Sequence, residues 1–535
     1  AMEDFKIDIM IESGPNATLY GTAIYEVLNG IPLNDPRQPN RIEVPVIYPN
    51  EGYELLEPKF PGFNQDIIVS GDTVFVANVI KKPEVVFDQI VDIFGGNEMA
   101  SFLTANGDLY IVGENRTNQL GIPGSPAVTS YVRMPRSSFD NKTIAQVAHG
   151  NAHTLVLTTD HTVYVWGYNW YDQLGFGDKR DGTHPMVLPP SQYDNKVVAK
   201  VYARADFSAL LMTDGTLYMM GDNSSKQLSG VANPKRKPTQ ISLGTGDYDG
   251  VSPITKVYLG VRGTFIETAN NKLYYFGENR QLQGVISGNR VIYNPTEVNK
   301  HFYTNGVKAI AAGDRHGFLL NNDNQLIASG TYRYAQLGFG ASGSDATRFT
   351  PAVYDYPEFA GKTIKTIVSG FEHNYVLLEN GELYSFGRNH LNQSGATGVE
   401  IEYNETPTLI NPMVYNYETI KKVIAVHHSA MILTEQGNIY VTGNNASGIL
   451  ATGSTQQVTD FTNNMAADKF KVATSASITL NNSTLAKFNN QTLSQILERT
   501  GFTYEVYLDP DFTTPISLDD LVGEEDKRLY VKYTK

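Results

Sequence analysis

A phrase that ends in glycine recurs seven times in this chain of 535 residues, and it limits the possible folds more than any other feature. The phrase reads most often Leu-Tyr-x-x-Gly, and it is usually followed by x-Asn, a short variable step and Gln-Leu-Gly. Successive closing glycines lie 54, 54, 56, 53, 57 and 56 residues apart. So regular a period predicts one repeated supersecondary unit that buries its faces against its neighbours. The closing glycines are Gly113, Gly167, Gly221, Gly277, Gly330, Gly387 and Gly443.

Each unit has the pattern of a β-hairpin. Two apolar runs flank a tight turn, as in Thr213 to Gly221 and Leu378 to Gly387. Asn-Gly and Asp-Gly tolerate the positive φ of two-residue hairpin turns, which the pattern predicts here. Runs that are apolar on both faces indicate strands sandwiched between neighbouring sheets. A closing residue without Cβ indicates a close backbone approach. Four units keep a glycine in the turn, namely Gly107, Gly215, Gly381 and Gly437.

Two further segments complete the unit. Upstream of the hairpin, the segment 147–153, Val-Ala-His-Gly-Asn-Ala-His, matches 310–316 and 367–373, and its small residues favour an innermost strand. Downstream, proline-marked segments such as Pro295-Thr-Glu-Val are typical of an outer edge strand, where a missing N–H is harmless. The unit therefore predicts a sheet of four strands.

These residues resemble the regulator of chromosome condensation repeat, a four-stranded blade of a seven-bladed β-propeller, over Val85 to Gly453. The resemblance implies a closed propeller at residues 85–455. His153, His316 and His373 occupy the repeat's histidine position, where the family's imidazole is structural. The other units carry Met99, Phe207 and Gly263 at that position, and His428 is offset by one before Ser429. The repeat's glutamine is kept in six units, as Gln119, Gln173, Gln227, Gln283, Gln336 and Gln393.

Two regions flank the expected propeller. Residues 3–84 predict a small β-rich domain with strands at Phe5–Ile11, Ile42–Tyr48 and Asp72–Ile80. Residues 465–535 predict a β-grasp-like α+β domain. Its expected elements are strands at Ala476–Leu480, Thr503–Leu508 and Arg528–Tyr533 and a helix at Leu493–Arg499. The stretch from Tyr504 to Tyr533 resembles the Listeria–Bacteroides repeat, a β-grasp module of bacterial surface and secreted proteins. The fold class is therefore mainly β.

Charge and composition limit the classes of partner and the locations that we expect. A net charge of −14 argues against nucleic acid, because phosphate backbones require clustered Lys and Arg. No apolar run reaches the length of a membrane span, so we expect no membrane insertion. The chain has no cysteine, which excludes disulfides and thiolate sites. If Met2 is the native start, Glu3 and Asp4 do not fit a signal peptide. We expect a virion or an extracellular surface as the location, with the cytoplasm as the alternative.

Nothing in the sequence indicates catalysis. It has no Gly-x-Ser-x-Gly motif, no readable Ser-His-Asp order and no Walker-type glycine loop. The scattered histidines fit structural roles better than metal ligation. We therefore expect a non-enzymatic protein that has neither a cofactor nor a metal.

One position of the repeat has the composition of a binding surface. Equivalent positions of a propeller lie on one face, and Arg, Trp and Tyr dominate binding hot spots. The alternative is that these are ordinary residues of the blade loops. The third residue after each closing glycine is Arg116, Trp170, Ser224, Arg280, Arg333, His390 or Ala446. Tyr171 and Tyr334 follow directly, and Tyr332 replaces the usual Asn. We predict a contact surface made of Arg116, Trp170, Tyr171, Arg280, Tyr332, Arg333, Tyr334 and His390.

Two functions remain open. The first is a recognition or structural module that binds a protein or glycan, on a phage tail or a bacterial surface. The alternative is a guanine-nucleotide exchange factor or secreted effector acting on a small GTPase, since exchange is the best known role of the family that the repeat resembles. In that family, exchange relies on a wedge inserted from one blade. Here the intervals vary only from 53 to 57 residues, so no single blade stands out as carrying a large additional hairpin. This weakens the exchange function but leaves it open, since loops differ among relatives.

Overall fold

The computed structural model divides the chain into two compact units. One comprises Ala1–Phe87 with Thr474–Tyr533, and the other comprises Asp88–Ala473 with Thr534–Lys535. The residues described are 6–39, 41–50, 53–55, 58–81, 85–87, 90–105, 107–122, 127–230, 235–241, 246–288, 290–340, 342, 348–395, 402–464, 474–480, 503–509, 513–517 and 527–534.

The larger unit contains seven antiparallel sheets of four strands, each built from one continuous stretch of chain. Neighbours in the sheet are neighbours in sequence, so every blade is a meander. The predicted seven-bladed propeller is therefore confirmed. The strands are Ile90–Gly95, Met99–Thr104, Leu109–Glu114 and Ala127–Arg133 in blade 1; Ile144–His149, His153–Thr158, Val163–Gly167 and Gly182–Val187 in blade 2; Val198–Arg204, Phe207–Met212, Leu217–Gly221 and Lys235–Gln240 in blade 3; Ile254–Leu259, Gly263–Thr268, Leu273–Glu278 and Val291–Glu297 in blade 4; Val307–Ala312, His316–Asn321, Leu326–Thr331 and Arg348–Val353 in blade 5; Ile364–Ser369, His373–Leu378, Leu383–Arg388 and Tyr403–Leu409 in blade 6; Ile420–Val426, Ser429–Thr434, Ile439–Gly443 and Val458–Asn463 in blade 7.

Short 3-10 turns lie in five of the connections from one blade to the next. As predicted, the small-residue segment forms the first strand of a blade, and the proline-marked segment forms the fourth, at the sheet edge. The 3-10 turns are Arg136–Phe139, Pro190–Tyr193, Lys300–Phe302, Pro357–Phe359 and Pro412–Tyr415.

The core of the propeller lies between its blades. The second and third strands are buried along almost their whole length, as in His153–Thr158 and Val163–Gly167. Leu155 of blade 2 belongs to the same buried cluster as Val198 and Leu210 of blade 3. Burying one such aliphatic side chain stabilises the fold by about 1.5–3 kcal/mol, so each blade depends on its neighbours.

The closing glycine pairs with the histidine position across the hairpin, as His153 pairs with Gly167. Gly167 has φ +101°, and a Cβ there would lie 2.5 Å from the carbonyl oxygen of Ala152. All seven closing glycines face the carbonyl that precedes the partner position in this way. The close backbone approach predicted from the sequence is therefore present.

The hairpin turns differ from the two-residue turns predicted. In blade 3, the N–H of Gly215 donates to Met212 O and the N–H of Met212 donates to Thr216 O, which closes a loop of three residues. Gly215 has φ +81°, and the adjoining Asp214 is absent from the positive-φ residues. A type I turn followed by one left-handed residue explains why glycine is needed only once.

Blade 7 meets blade 1 through side chains, since each blade is complete in itself. Lys422 Nζ lies 2.6 Å from Asp92 Oδ1 and donates to Ile93 O at 2.9 Å. Apolar residues from both blades, including Phe102 and Met431, form one buried cluster. The ring is closed by packing and polar contacts and not by an exchanged strand.

The propeller's limits differ from the predicted 85–455. Its strands run from Ile90 to Asn463, because the last outer strand, Val458–Asn463, lies beyond residue 455. Val85–Phe87 instead pairs with Thr474–Leu480 in the smaller unit. Residues 3–84 and 465–535, assigned to separate domains from the sequence, thus contribute to one compact unit.

The smaller unit holds the flanking strands. Lys6–Glu12 pairs with Ile24–Leu28 and Thr73–Val76, over a core that includes Ile9 and Phe75. The C-terminal sheet has the order Thr503–Tyr507, Lys527–Thr534, Thr474–Leu480, Val85–Phe87. The remaining strands are Ala17–Tyr20, Val46–Pro49, Tyr53–Leu55 and Val79–Lys81.

Two N-terminal strand predictions were wrong in extent. The segment Ile42–Tyr48 forms a strand only from Val46, because Pro45 has no N–H to donate. The segment Asp72–Ile80 is divided into two strands that pair with different partners. The three strands predicted for 465–535 are confirmed. The predicted helix Leu493–Arg499 lies outside the described residues, and the β-grasp assignment stays a prediction.

Candidate protein-binding face

The blade topology places two sets of loops on one face of the propeller. In every blade, the first strand and the third strand end at this face. It therefore carries the turns that join the first strand to the second and the loops that join the third strand to the fourth. We call it the loop face. The hairpin turns and the connections between blades lie on the opposite side, the hairpin face. The propeller's first strand begins, and its last strand ends, on the hairpin face.

Buried side chains hold the first residues of the loops after the closing glycines. In blade 2, Asn169 Oδ1 accepts the N–H of Leu174, and Gln173 Oε1 accepts the N–H of Tyr171. The same glutamine contact is made by Gln119, Gln227, Gln283, Gln336 and Gln393. The repeated Asn and Gln are therefore structural, and they fix the loops that carry the predicted contact residues.

The third residue after the closing glycine is exposed in all seven blades. The Arg116 and Arg280 side chains are 76% and 65% exposed, and they form long ion pairs with Glu114 and Glu278. Ion pairs this exposed add little stability. These arginines are therefore available to a partner.

Trp170 is the most prominent apolar side chain of the loop face. It is 58% exposed, with Lys179 Nζ 4.5 Å from its ring centroid. Tyr171 beside it is also exposed. An exposed indole held on a fixed loop is a typical binding anchor.

A second aromatic cluster lies at blades 5 and 6. The guanidinium of Arg388 lies 4.4 Å from the ring centroid of Tyr334, and that of Arg333 lies 5.3 Å away. Tyr403 stacks on the same ring with centroids 6.1 Å apart. Arg388 and Tyr403 were missed in the sequence because neither occupies the inspected repeat position.

Two predicted contact residues are less available. Tyr332 is half-buried and packs near Phe339, with ring centroids 6.4 Å apart, so it supports its loop. His390 is exposed, but its Nδ1 lies 3.2 Å from Gln393 Nε2. Burial is the main cause that lowers the pKa of His390, followed by the charge of Arg388.

Sequence reasoning missed an inner ring of charged residues, which lie just before the histidine position in five of the seven repeats, as Glu98, Asp206, Arg262, Arg315 and Glu372. Arg262 pairs with Asp314 at 2.7 Å, and Arg388 pairs with Glu372 at 2.7 Å. On the other side of the ring, burial raises the pKa of Asp206 to about 6 and also raises the pKa of Glu98. The signal that could have found them is their register, because they recur one residue before the histidine position.

Charge is unevenly distributed over the loop face. Two positions were compared in every blade: the residue before the histidine position and the residue after the closing glycine. In blades 1 to 3 they include Glu98, Asp206, Glu114 and Asp222 and no basic Lys or Arg. In blades 4 to 6 they include Arg262, Arg315 and Arg388 beside Glu278 and Glu372. A partner of mixed charge would be oriented by this asymmetry.

The repeat histidines are structural. His153 Nε2 lies 2.8 Å from Ser208 Oγ of the next blade, and His316 Nε2 lies 2.8 Å from Asn374 Oδ1. His373 Nε2 bonds to Ser429 O at 3.1 Å. Burial lowers the pKa of His153 and of His373 to about 3, so both are neutral at physiological pH.

The described ranges contain neither a metal site nor a membrane-spanning helix. There, no group of three His, Asp or Glu side chains is placed to hold a metal ion. Nor does any helix of those ranges have the length and apolarity to cross a membrane.

Comparison with known proteins agrees with this architecture. The profile of the RCC1-like domain matches residues 70–427. The chain belongs to the RCC1-like domain family.

Individual relatives share the propeller at modest identity. The ultraviolet-B receptor UVR8 of Arabidopsis thaliana is 23% identical over 312 residues, covering 57% of this chain and 67% of that protein. The human X-linked retinitis pigmentosa GTPase regulator is 28% identical over 351 residues, covering 65% of this chain and 32% of that protein. Prp20 of Saccharomyces cerevisiae superposes with a TM-score of 0.55 at 20% identity, covering 73% of this chain and 90% of Prp20. A second structure, of Prp20 bound to Kap60, gives a TM-score of 0.58 at 18% identity and covers 84% of this chain and 90% of that one.

Proposed function

We propose that this RCC1-like protein binds another protein through its loop face, and that a small GTPase is its partner. The observation that carries the proposal is the set of seven loops fixed by buried Asn and Gln side chains. They present exposed residues such as Arg116, Trp170 and Arg333 on a single face. Rigid loops on a scaffold are where binding residues concentrate, and pre-ordering them lowers the entropy that binding costs.

The relatives support a protein partner. Prp20 has been crystallised with Kap60, and its structure has been described together with its binding to Gsp1p and histones. One human relative is named as a GTPase regulator. Guanine-nucleotide exchange is also what the repeat's resemblance implies. None of these names refers to a phage tail, a bacterial surface or a glycan, so that part of the expectation has no support.

Exchange needs no covalent chemistry from the protein, in keeping with a non-enzymatic role. Among the described residues, every strand between Ile90 and Asn463 belongs to one of the seven blades. No additional hairpin projects from a blade in those ranges. An exchange activity would therefore act through the loop face itself.

Nucleotide release from a panel of small GTPases tests the proposal. Each GTPase is loaded with a fluorescent GDP, and release is followed with and without the protein. We expect one GTPase to bind and to release its nucleotide faster. Trp170→Ala and Arg333→Ala should weaken this effect. Tyr417→Ala, at an exposed tyrosine on the hairpin face, is the matched control and should not.

Two results would contradict the proposal. Failure of every GTPase in the panel to bind would remove the partner class. Binding that is lost in Tyr417→Ala but kept in the Trp170 and Arg333 variants would place the contact on the wrong face.

A further inference from the structure

A small cavity lies at the centre of the loop face, on the propeller axis. The turns from first to second strand in blades 1, 2, 3, 6 and 7 line it, and its volume is about 20 Å³. A cavity of roughly 10–15 Å³ already holds one water molecule. The side chains that define it are Asn97, His149, Asn151, Arg204, Phe371 and His427.

Arg204 gives the cavity a positive charge without an acidic partner. Its guanidinium reaches from blade 3 towards blade 6, where Nη2 lies 3.4 Å from Ser369 O. Over the part of the chain that the structure describes, no carboxylate lies within ion-pair distance of it. Burial lowers the pKa of Arg204 to about 10. Arg204 is therefore a half-buried cation whose guanidinium has one long hydrogen bond and no ion pair in the described ranges.

The neighbouring groups make no ion pair with this guanidinium, although the Asp206 carboxylate lies beside the cavity, where it accepts from Asn151 Nδ2 at 3.3 Å. His149 is bonded through both ring nitrogens, to Ser101 Oγ and Thr154 Oγ1. Burial lowers the pKa of His149 and of His427 to about 3, so neither ring is charged at neutral pH. By contrast, the inner-ring residues Arg262 and Arg315, and Arg388 after the closing glycine of blade 6, all have a carboxylate within 3.3 Å.

We propose that the axial cavity binds a small anion, of the size of chloride or of one carboxylate group, against Arg204. Removing a guanidinium from water without a counter-ion is costly, and an anion at hydrogen-bond distance offsets that cost. Asn97 and Asn151 also line the site, and an amide hydrogen of each can donate to the same anion, although Asn151 Nδ2 already gives one hydrogen to Asp206 Oδ2 at 3.3 Å. At about 20 Å³ the cavity exceeds the roughly 10–15 Å³ that one water molecule needs, so it has room for a small anion. This inference does not depend on the GTPase proposal.

The anion has two possible sources, which share this chemistry. One is a free ion, such as chloride. The other is the carboxylate of an acidic side chain that a partner inserts along the axis, because the cavity opens on the loop face. A purely structural Arg204, which would only tie blade 3 to blade 6, predicts no anion dependence.

Thermal unfolding in different salts tests the site. Chloride, bromide and acetate are each compared with a bulky sulfonate at constant ionic strength. An anion that binds only the folded state raises its melting temperature as its concentration rises. We expect this rise in the wild type and in Arg280→Met, the exposed control. In Arg204→Met the fitted dissociation constant should rise at least about tenfold. A response to halides alone indicates a free ion, and a response to acetate indicates a carboxylate.

Diffraction from crystals of the wild type gives a second test, which does not require a variant to fold. Crystals of the wild type soaked in bromide should show an anomalous peak within hydrogen-bond distance of Arg204. Arg204→Lys, which keeps the charge, should retain part of the halide response. The proposal is overturned if the wild type shows no peak there while other bromide sites are occupied. It is also overturned if Arg204→Met responds to anions as the wild type does.

Discussion

Substituting Gly167 by Ala tests the steric role of the repeated glycines. With φ +101°, any residue other than glycine is strained, at about 1–2 kcal/mol. The new Cβ would also lie 2.5 Å from Ala152 O and 2.9 Å from His153 Cα, so the backbone must shift. Overpacking of this kind costs about 1–3 kcal/mol. The hydrogen bond from Tyr168 N to Ala152 O, 2.8 Å long, weakens as well, at about 1 kcal/mol.

Gly177 in the same blade provides a matched control. It has φ +82°, but no atom lies within 4 Å of a Cβ built there. Gly177→Ala therefore costs only the backbone strain, about 1–2 kcal/mol. The difference expected between the two variants is about 2–4 kcal/mol, from the overlap and the hydrogen bond.

Urea unfolding followed by tryptophan fluorescence measures this difference. The chain has two tryptophans, and Trp166 is fully buried beside Gly167. In a Trp170→Phe background, Trp166 alone reports on blade 2. If Gly167→Ala and Gly177→Ala unfold at the same urea concentration, close backbone approach is not the reason for the repeated glycine.

Four further variants test the packing and the binding face. His153 has a pKa near 3 in the folded state and about 6.5 when unfolded. The unfolding free energy should therefore fall below pH 6.5, and His153→Gln should remove about 1.4 kcal/mol per pH unit from that slope in urea titrations. Lys422→Met should lower the free energy of unfolding by about 1 kcal/mol, because it opens the contact between blades 7 and 1. Lys421→Met, at an exposed position, should lower it by almost nothing. Equal losses would contradict the role of Lys422 in that contact. Tyr332→Ala should lower the melting temperature, whereas Trp170→Ala should leave it unchanged and weaken partner binding by about 1–2 kcal/mol. A large stability loss in the Trp170 variant would make that side chain a packing residue.

The blade could be predicted from the sequence because its constraints are local. The glycine of Gly167 recurs in all seven units, since each blade repeats one backbone approach, and the histidine of His153 recurs in three, where it bonds to the next blade. The positive φ of Gly215 was also predictable, but the loop length was not. A two-residue loop needs a positive φ at the residue before the glycine as well, and a three-residue loop does not. Which of the two forms depends on how the strands pair around the turn.

Contacts between distant segments could not be predicted. The strand Val85–Phe87, which precedes the propeller in sequence, pairs with Thr474–Leu480, which follows it. No local sequence pattern indicates that these two segments pair. Arg204 stands in an ordinary first strand, and only ring closure brings it opposite Ser369. The charged inner ring recurs in register but has no uniform residue type, so a search for repeated residue types did not find it.

Hydroxyl-radical footprinting of the protein, free and bound to a GTPase found by the release assay, tests the central claim that the loop face binds the partner. Radicals react with exposed aromatic and methionine side chains, so both faces carry reporters. Trp170, Tyr171 and His390 should become protected on binding. Met413 and Tyr417, which are 63% and 72% exposed in the connection after blade 6, should react as before. Protection of Met413 and Tyr417 with unchanged Trp170 would contradict the claim.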